Sequence, residues 1–520
     1  MKSIVTFCFA ALAAIAATRV DAAESFQIEE ATVASIQQGL RDKSLTCHAL
    51  VQAYLDRIAA YDHKGPSLNV ILALNPNALA EADQRDADYA RSGPVGPLHC
   101  IPLVLKDNYN TADLPTTGGS AALASAQPKA DAFTVARLRK AGAIILGKSN
   151  MHEFALAGTT VSSLGGQTLN PYDLTRTPGG SSGGTGAAVA ANLALAGTGS
   201  DTVNSIRSPA SANALVGIRP TKGLLSRAGI MPVSETQDAA GPITRTVADA
   251  ARLLEVMAGY DPDDPSTAWS IGNTPASYTP FLEEGSLRGV RIGLFKTMQG
   301  SRPEHQEVNA IIAAAVAAMQ NEGAIVVEVD DPALSAAKLI AENDVQNYEF
   351  RTLINAYLAS IPNAPAKSLA DIIASGKFHK PSLESFLASA QTYQGGIEEL
   401  DYHLRLLRNA RTRDKLVSML AEHRLEAVIY PLQQRLVVPT TELNQADRNG
   451  ILASVTGFPA ITVPAGFSKP TATAPLGVPI GMDILGRPWS EGRLIQIAHG
   501  FEQATHFRKP PKSAPPLPMK

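Results

Sequence analysis

Residues 177–191 read TPGGSSGGTGAAVAA, a glycine and serine run that passes without a break into an alanine-rich stretch. A flexible linker would not lead straight into a helix-forming segment, so this loop belongs to a fold. Its glycines let the backbone approach other groups closely, and a loop before a helix N-terminus presents unpaired N–H groups. Spacing excludes two phosphate-binding readings. No Gly-Lys-Ser/Thr follows, as a P-loop requires, and G-x-G-x-x-G is absent. What remains is a backbone-rich pocket holding the hydroxyls of Ser181 and Ser182.

Outward from this loop, strands and helices alternate, the pattern of α/β architecture. Upstream, Pro97 to Leu105 is an apolar run ending in Lys106-Asp107-Asn108, a buried strand with polar residues at its C-terminal end. Residues 132–141 predict a helix and Ala143 to Leu146 a strand. Residues 28–61 predict two helices, from the helical spacing of Val33, Ile36 and Leu40, then Leu50, Tyr54 and Ile58. Downstream, Ala194 to Ala196 begins a short buried strand, and Thr198 to Ser208 reads as a polar turn. A helix over 245–259 stops at Asp261-Pro262-Asp263-Asp264-Pro265. Val290 to Phe295, 305–320 and 324–329 make a further strand–helix–strand unit. Residues 332–428 are mostly helical, and 450–500 return to strands and turns ending in a helix over 490–504. The expectation is one large α/β domain over 23–509 with a mostly helical insertion, and a flexible proline-rich tail over 510–520.

The composition is that of a globular chain: 520 residues, 45% hydrophobic and 18% charged, which excludes a mainly disordered protein. A net charge of −3 leaves no basic excess for nucleic acid. The N-terminus stands apart. Lys2 precedes an apolar run from Ile4 to Ala17, and Val20-Asp21-Ala22 places small residues at the positions a signal peptidase reads. Residues 1–22 are therefore expected to be a cleaved signal peptide, and the mature protein periplasmic or secreted. A membrane anchor is the competing reading. The run is short of the ~20 residues of a span, and Arg19 and Asp21 close it. Cleavage leaves only Cys47 and Cys100, too few for a disulfide framework; one bridge is open to them, but two buried free thiols are expected. A Cys100 nucleophile paired with the adjacent His99 is disfavoured, because neighbouring residues rarely face each other.

Three polar positions stand out. Lys106 ends a buried strand, where an ammonium is costly to desolvate. Either it reaches solvent, or burial lowers its pKa and makes it a general base. Ser181 lies in the glycine loop. Ser205 lies in Gly199-Ser200-Asp201-Thr202-Val203-Asn204-Ser205-Ile206-Arg207, alone no more than a turn serine.

Taken together, these segments resemble the amidase signature family. The resemblance rests on PLVLKDNYNTADLPTTGGS (102–120), LGKSNMHEFALAGTT (146–160), NPYDLTRTPGGSSGGTGAAVAA (170–191), GSDTVNSIRSPASANALVGIRPTKGLLSR (199–227) and AAGPITRTVADAARLLEVMAG (239–259). VTGFPAITVPAGFS (455–468) and GMDILGRPWSEGRLIQIAHGFEQ (481–503) extend it; it is weakest at about 330–450. The family implies a single domain with a mixed central sheet covered by helices. It also implies amide hydrolysis by a Ser–cis-Ser–Lys triad. By position, Lys106 falls on the base, Ser181 on the serine following a cis bond from Gly180, and Ser205 on the nucleophile. Ser182 falls on a supporting hydroxyl. The N–H groups of Thr202, Val203, Asn204 and Ser205 fall on the oxyanion hole, and Asp201 and Arg207 on polar positions shaping the turn.

One departure matters. The family usually carries Gly-Gly before the nucleophile, and this chain carries Val203-Asn204. Main-chain donors survive, but two side chains enter the acyl site. Val203 is expected at negative φ, with the left-handed region open to Asn204. There Asn204 either narrows the site or offers an amide hydrogen bond.

Other polar residues take ordinary readings. The ten histidines form no H-E-x-x-H and no zinc-spaced Cys/His cluster, so no metal site is expected. His152 is expected to start a helix, Tyr348, Phe350 and Tyr357 to lie in the core, and Asp83, Asp86 and Asp88 on a solvated helix face. The expected function is that of an exported amidase needing no metal or organic cofactor. Its substrate is a small amide: an acyl, aryl or peptide amide. Nucleic acid and stable membrane insertion are not expected after signal cleavage, and a homodimer is an option. Two rivals are kept. One is the glutaminase-type subunit of a tRNA-dependent amidotransferase, which the signal peptide disfavours. The other is a catalytically inactive periplasmic binding protein, which Lys106, Ser181 and Ser205 disfavour.

Overall fold

The computed structural model describes residues 26–283, 286–393 and 395–517. The signal-peptide reading of residues 1–22 lies outside the described residues.

The sheet strands are β1 (Ile71–Leu74), β2 (Pro102–Lys106), β3 (Ile144–Ser149), β4 (Ala196–Asp201), β5 (Val216–Arg219), β6 (Ala239–Thr244), β7 (Arg291–Phe295), β8 (Ile325–Val329), β9 (Ala427–Pro431), β10 (Ala460–Phe467) and β11 (Pro479–Gly486). They form one 11-stranded sheet in the order β1-β3-β2-β4-β6-β5-β10-β11-β9-β7-β8. It is mixed: β2 runs parallel to β3 and β4, β7 runs parallel to β8 and β9, and the remaining pairs are antiparallel. The central strands are buried along their whole length, as strands covered by helices are; β2 reads as an apolar run up to Lys106, whereas β4 is built of small and polar residues. The α/β expectation, the mixed sheet and the helical insertion all hold. The insertion comprises helices Ala336–Asn343, Gln346–Ser360, Leu369–Ser375, Lys380–Thr392 and Leu400–Glu422, placed between β8 and β9. No helix among the described residues is long and apolar enough to cross a membrane.

The pairing of β2 with β4 positions the site. Leu103 lies opposite Ala196 and Val104 opposite Gly197, in parallel, so the C-terminal ends Lys106 and Asp201 emerge at the same edge. The close approach needs glycine at 197, where a Cβ would stand 2.6 Å from the Val104 carbonyl oxygen. β4 runs on to Asp201, so the turn expected from Thr198 onward begins later. Its polar residues stay in the ladder because β6 pairs with all of them, from Gly197–Ile243 to Asp201–Ala239.

Two further expectations are corrected. The tail is not loose through 517. Tyr61 Oη donates to the Pro515 carbonyl at 2.7 Å, Ser513 Oγ to that of Pro171 at 2.7 Å, and Ala514 is buried. Buried Arg57 is the anchor: Nη2 donates to Ala514 at 2.8 Å and Ala191 at 2.9 Å, Nη1 to Pro515 at 3.0 Å and Glu29 at 2.6 Å, and Nε to Asn192 at 2.9 Å. Proline supplies carbonyl acceptors without a donor of its own, which suits a cationic anchor.

Cys47 and Cys100 are not free thiols but a disulfide, with Cα atoms 5.4 Å apart. A separation of 53 residues carries no pairing signal; the fold brings together the start of helix Cys47–Tyr61 and the approach to β2. His99 Nε2 lies 3.8 Å from Cys47 Sγ. This trio is the one His/Cys/carboxylate group of metal-binding compactness among the described residues, and the disulfide occupies both its thiols. Replacing both cysteines by serine should lower unfolding stability by roughly 2–4 kcal/mol. Denaturant titration with and without reductant checks this; coincident curves would mean that the thiols are free in solution.

Candidate active site

Lys106 is fully buried at the end of β2. Its Nζ donates to Ser181 Oγ at 2.8 Å, to Ser200 Oγ at 2.8 Å and to the Ser200 carbonyl at 3.3 Å. Asn108 Nδ2 donates to Ser200 Oγ at 3.0 Å, fixing that hydroxyl. Burial pushes the Lys106 ammonium down to about 7, against the opposing pull of Asp201 and Asp238. Of the two readings of this lysine, the buried one is observed.

The glycine loop places Ser181. The Gly180–Ser181 peptide is cis. Gly179 has φ +71°, and a Cβ there would meet the Ser208 carbonyl oxygen at 2.8 Å, so only glycine fits. Thr160 Oγ1 donates to the Gly179 carbonyl at 2.7 Å and accepts from Gly183 N at 3.1 Å, clamping both ends of the turn. The helix Gly183–Ala190 that follows is buried throughout. Ser182 Oγ donates to the Ser200 carbonyl at 3.4 Å, and Ser182 N to that of Ser205 at 3.2 Å.

The turn after β4 brings Ser205 to the same place. Among the described residues, the N–H groups of Thr202, Val203, Asn204 and Ser205 donate to no other group, whereas Ile206 N donates to Asp201 Oδ2 at 3.1 Å. Four consecutive free donors at the end of a sheet strand are what an anionic oxygen requires. A charged network buried behind the turn holds it. Arg207 pairs with Asp201 at 3.2 Å and Asp483 at 2.6 Å, donates to the Val203 carbonyl at 2.6 Å, and reaches Gly450 O at 2.8 Å. Arg219 pairs with Asp201 at 2.9 Å. Burial alone would raise the Asp201 carboxyl; Arg207 and Arg219 overcome it and hold it at about 2. Asp238 accepts from Thr202 Oγ1 at 2.6 Å, and Ser454 Oγ donates to the Thr202 carbonyl.

Lys106, Ser181, Ser182, Ser205, Asp201 and Arg207 thus converge. No hydrogen bond joins the hydroxyls of Ser181 and Ser205 among the described residues; their segments are linked by Ser182 N to Ser205 O, by Ser182 Oγ to Ser200 O and by Gly180 N to Ser208 Oγ. Neither Val203 nor Asn204 has a positive φ, so the left-handed option for Asn204 is corrected. Its carbonyl instead accepts from Ser208 N at 2.6 Å, an i to i+4 bond leading into the helix Arg207–Ala212. Asn204 is fully buried, and its Nδ2 has no hydrogen-bond partner among the described residues.

Several residues do more than the sequence implies. His152 is no simple helix start: it is buried, its N–H donates to the Ser181 carbonyl at 2.9 Å, and its ring contacts Ser382 at 3.2 Å and Thr159 at 3.3 Å. Burial first, then the charges of His379, Arg448 and Lys106, lower it to about 3, so it is neutral. Tyr348 and Phe350 are buried as expected, but Tyr357 lines a cavity of about 270 Å³ with Ser200, Thr202, Met231, Asp238 and Leu353. The insertion therefore walls the site. It is tied down by Glu349, which accepts from Ser234, Thr236 and, at 2.9 Å, Tyr402. Ser200 and Asn108 carry a sequence signal, each sitting near a residue singled out; Asp483 lies in the matching stretch 481–503, and Asp238 carries none.

The Amidase family model matches residues 49–495. A probable amidase of Arabidopsis thaliana is 35% identical over 518 residues, covering 95% of this chain and 94% of the relative. A glutamyl-tRNA(Gln) amidotransferase subunit of Moorella thermoacetica is 34% identical, covering 90% and 96%. Among solved structures, native peptide amidase from Stenotrophomonas maltophilia superposes with a TM-score of 0.84 at 38% identity, covering 93% of this chain and 98% of that one.

Proposed function

Because the chain belongs to the amidase signature family and is an amide C–N hydrolase, we propose that it works through a Ser205 acyl-enzyme with Lys106 as base and Ser181 as relay. The observation that carries this is the 2.8 Å bond between Lys106 Nζ and Ser181 Oγ, made by a lysine that burial holds near neutral. A serine hydroxyl is a weak nucleophile until a base takes its proton. Neutral Lys106 takes the Ser181 proton as Ser181 takes that of Ser205, because a hydroxyl both donates and accepts. Ser205 Oγ bonds to the amide carbon, and the oxyanion lies against the free N–H groups of 202–205. The proton returns through Ser181 to the leaving nitrogen as the C–N bond breaks. Water then releases the carboxylate and restores Ser205. Apo hydrogen bonds of this kind tighten when substrate binds, which fits the open Ser181–Ser205 link.

We propose further that the protein is exported. The Lys2 and Ile4–Ala17 pattern supports this, as does a disulfide, which persists in oxidising compartments. The glutaminase reading has relatives behind it; the inactive binding protein has no observation in its favour.

One experiment tests the reaction: ammonia or amine release from acyl, aryl and peptide amides and from glutamine, measured from pH 5 to 9. Turnover of simple amides should rise with pH along a limb centred near 7, as Lys106 loses its proton. Turnover confined to glutamine would favour the glutaminase reading, and none at all would overturn hydrolysis by this site. The sign for stability is the same. Between about pH 7 and the ordinary lysine value of 10.5 the unfolded chain binds a proton that the folded one does not, so stability rises with pH across that window.

A further inference from the structure

Three arginines lie around the Ser205 turn, and they differ in what neutralises them. Arg207 and Arg219 share the carboxylates of Asp201 and Asp483. Arg448 has no carboxylate within ion-pair distance among the described residues. The one hydrogen bond its side chain makes there is Nη1 to Asn204 Oδ1, at 3.3 Å. Asp344, the carboxylate whose charge it feels, is engaged by Gln346 Nε2 at 2.8 Å. A guanidinium carries five donors and no acceptor, and a half-buried one whose counter-charge, Asp344, lies beyond ion-pair distance leaves donors unmet.

Its position is informative. A Cβ on Gly158 would lie 3.0 Å from Arg448 Nη1, and a Cβ on Gly180 would lie 2.9 Å from the Gly158 carbonyl carbon. The guanidinium thus stands one layer of backbone from the Gly180–Ser181 peptide, and it holds the side chain of the residue before Ser205. By accepting from Arg448, Asn204 Oδ1 leaves its Nδ2 as the second unpaired donor, buried and without a partner. Asn204 Nδ2 and the rest of the guanidinium thus lie together without a hydrogen-bond partner among the described residues. His152, the titratable neighbour, is neutral and adds no negative charge.

We propose that Arg448 and the Asn204 amide form a carboxylate-binding subsite, which selects amides whose acyl portion carries an anionic group. The inference rests on hydrolysis taking place at Ser205. A carboxylate supplies a counter-charge in direct contact and accepts from both side chains, in the charge-assisted geometry that arginine favours. In this reading Val203-Asn204 is not merely a narrowing of the acyl site: the asparagine is held by Arg448 and presents its N–H groups to the substrate.

The test compares succinamate with butyramide and glutaramate with valeramide, pairs in which a methyl replaces the carboxylate. For at least one pair, wild-type kcat/KM should favour the acid by tenfold or more. Arg448→Ala should reduce that ratio at least tenfold, with Arg448→Gln serving if the alanine variant does not fold. Calorimetric titration with succinate and glutarate reads the subsite without turnover, and binding should be lost in the same variant. If neutral amides are turned over without preference for the acid, the subsite is refuted while the hydrolase reading stands. If no amide is turned over, dicarboxylate binding that depends on Arg448 sustains the subsite, and its absence refutes it.

Discussion

Ser205→Ala lowers kcat on any amide by a factor on the order of 10⁴–10⁶, and Lys106→Ala by at least about 10³, in protein whose folded spectrum is unchanged. The two losses differ in kind. Ser205 supplies the atom that bonds to carbon, and no neighbour replaces it; Ser200 and Ser181 are both hydrogen-bonded to Lys106. Lys106 supplies a base, for which water and hydroxide substitute poorly, so the residual rate of Lys106→Ala should climb with pH past the point where wild type levels off. Ser181→Ala should lose nearly as much as Lys106→Ala, because it removes the atom between base and nucleophile. Combining the changes should add little to the worst of them, since the three act as a unit. Steady-state kinetics with ammonia detection checks this, and near-normal turnover in Lys106→Ala at pH 7 would remove that residue from the mechanism.

Arg207→Leu should destabilise the fold by about 3–5 kcal/mol. The substitution keeps apolar volume but strips two buried carboxylates, Asp201 and Asp483, of the cation between them. The burial that already raises Asp483 would then act on it unopposed by Arg207, so it would protonate rather than remain charged, while Asp201 keeps Arg219. Urea denaturation at pH 7 and pH 5 separates this from a packing loss. The deficit should shrink at the lower pH, where neutral carboxyls need no partner; an equal deficit at both would assign it to packing.

What the sequence discloses and what it hides divide along physical lines. Strand β2 and the loop at 177–191 are legible because a fully buried strand is a local apolar run and a glycine loop is a local composition. Lys106, Ser181 and Ser205 are legible only in combination: alone Lys106 is a strand-end lysine and Ser205 a turn serine, and what pairs them is the resemblance of their segments to the amidase signature family. The Cys47–Cys100 bond, the docking of Ala514 and Pro515 on Arg57, and the pairing of Asp483 with Arg207 are contacts between residues 53, 457, 458 and 276 apart. Nothing in a local window marks such partners. Residue type alone leaves Asn204 the left-handed region, whereas the helix that starts at Arg207 draws it into a right-handed turn. Tyr357 escapes the sequence because helical spacing tells which face is covered, and not whether core or cavity covers it.

The anchoring of the last residues on Arg57 bears on the order in which the molecule is made. Arg57 leaves the ribosome early and has five donors to place; the carbonyls of Ala514 and Pro515 arrive 457 and 458 residues later. The same guanidinium holds the carbonyls of Ala191 and Asn192, at the far end of the helix that opens beside Ser181 and Ser182. Until residues 514 and 515 are made, the guanidinium lacks the acceptors they supply. The hydrogen-bond set of this cation is thus completed only by the last residues of the chain to be synthesised.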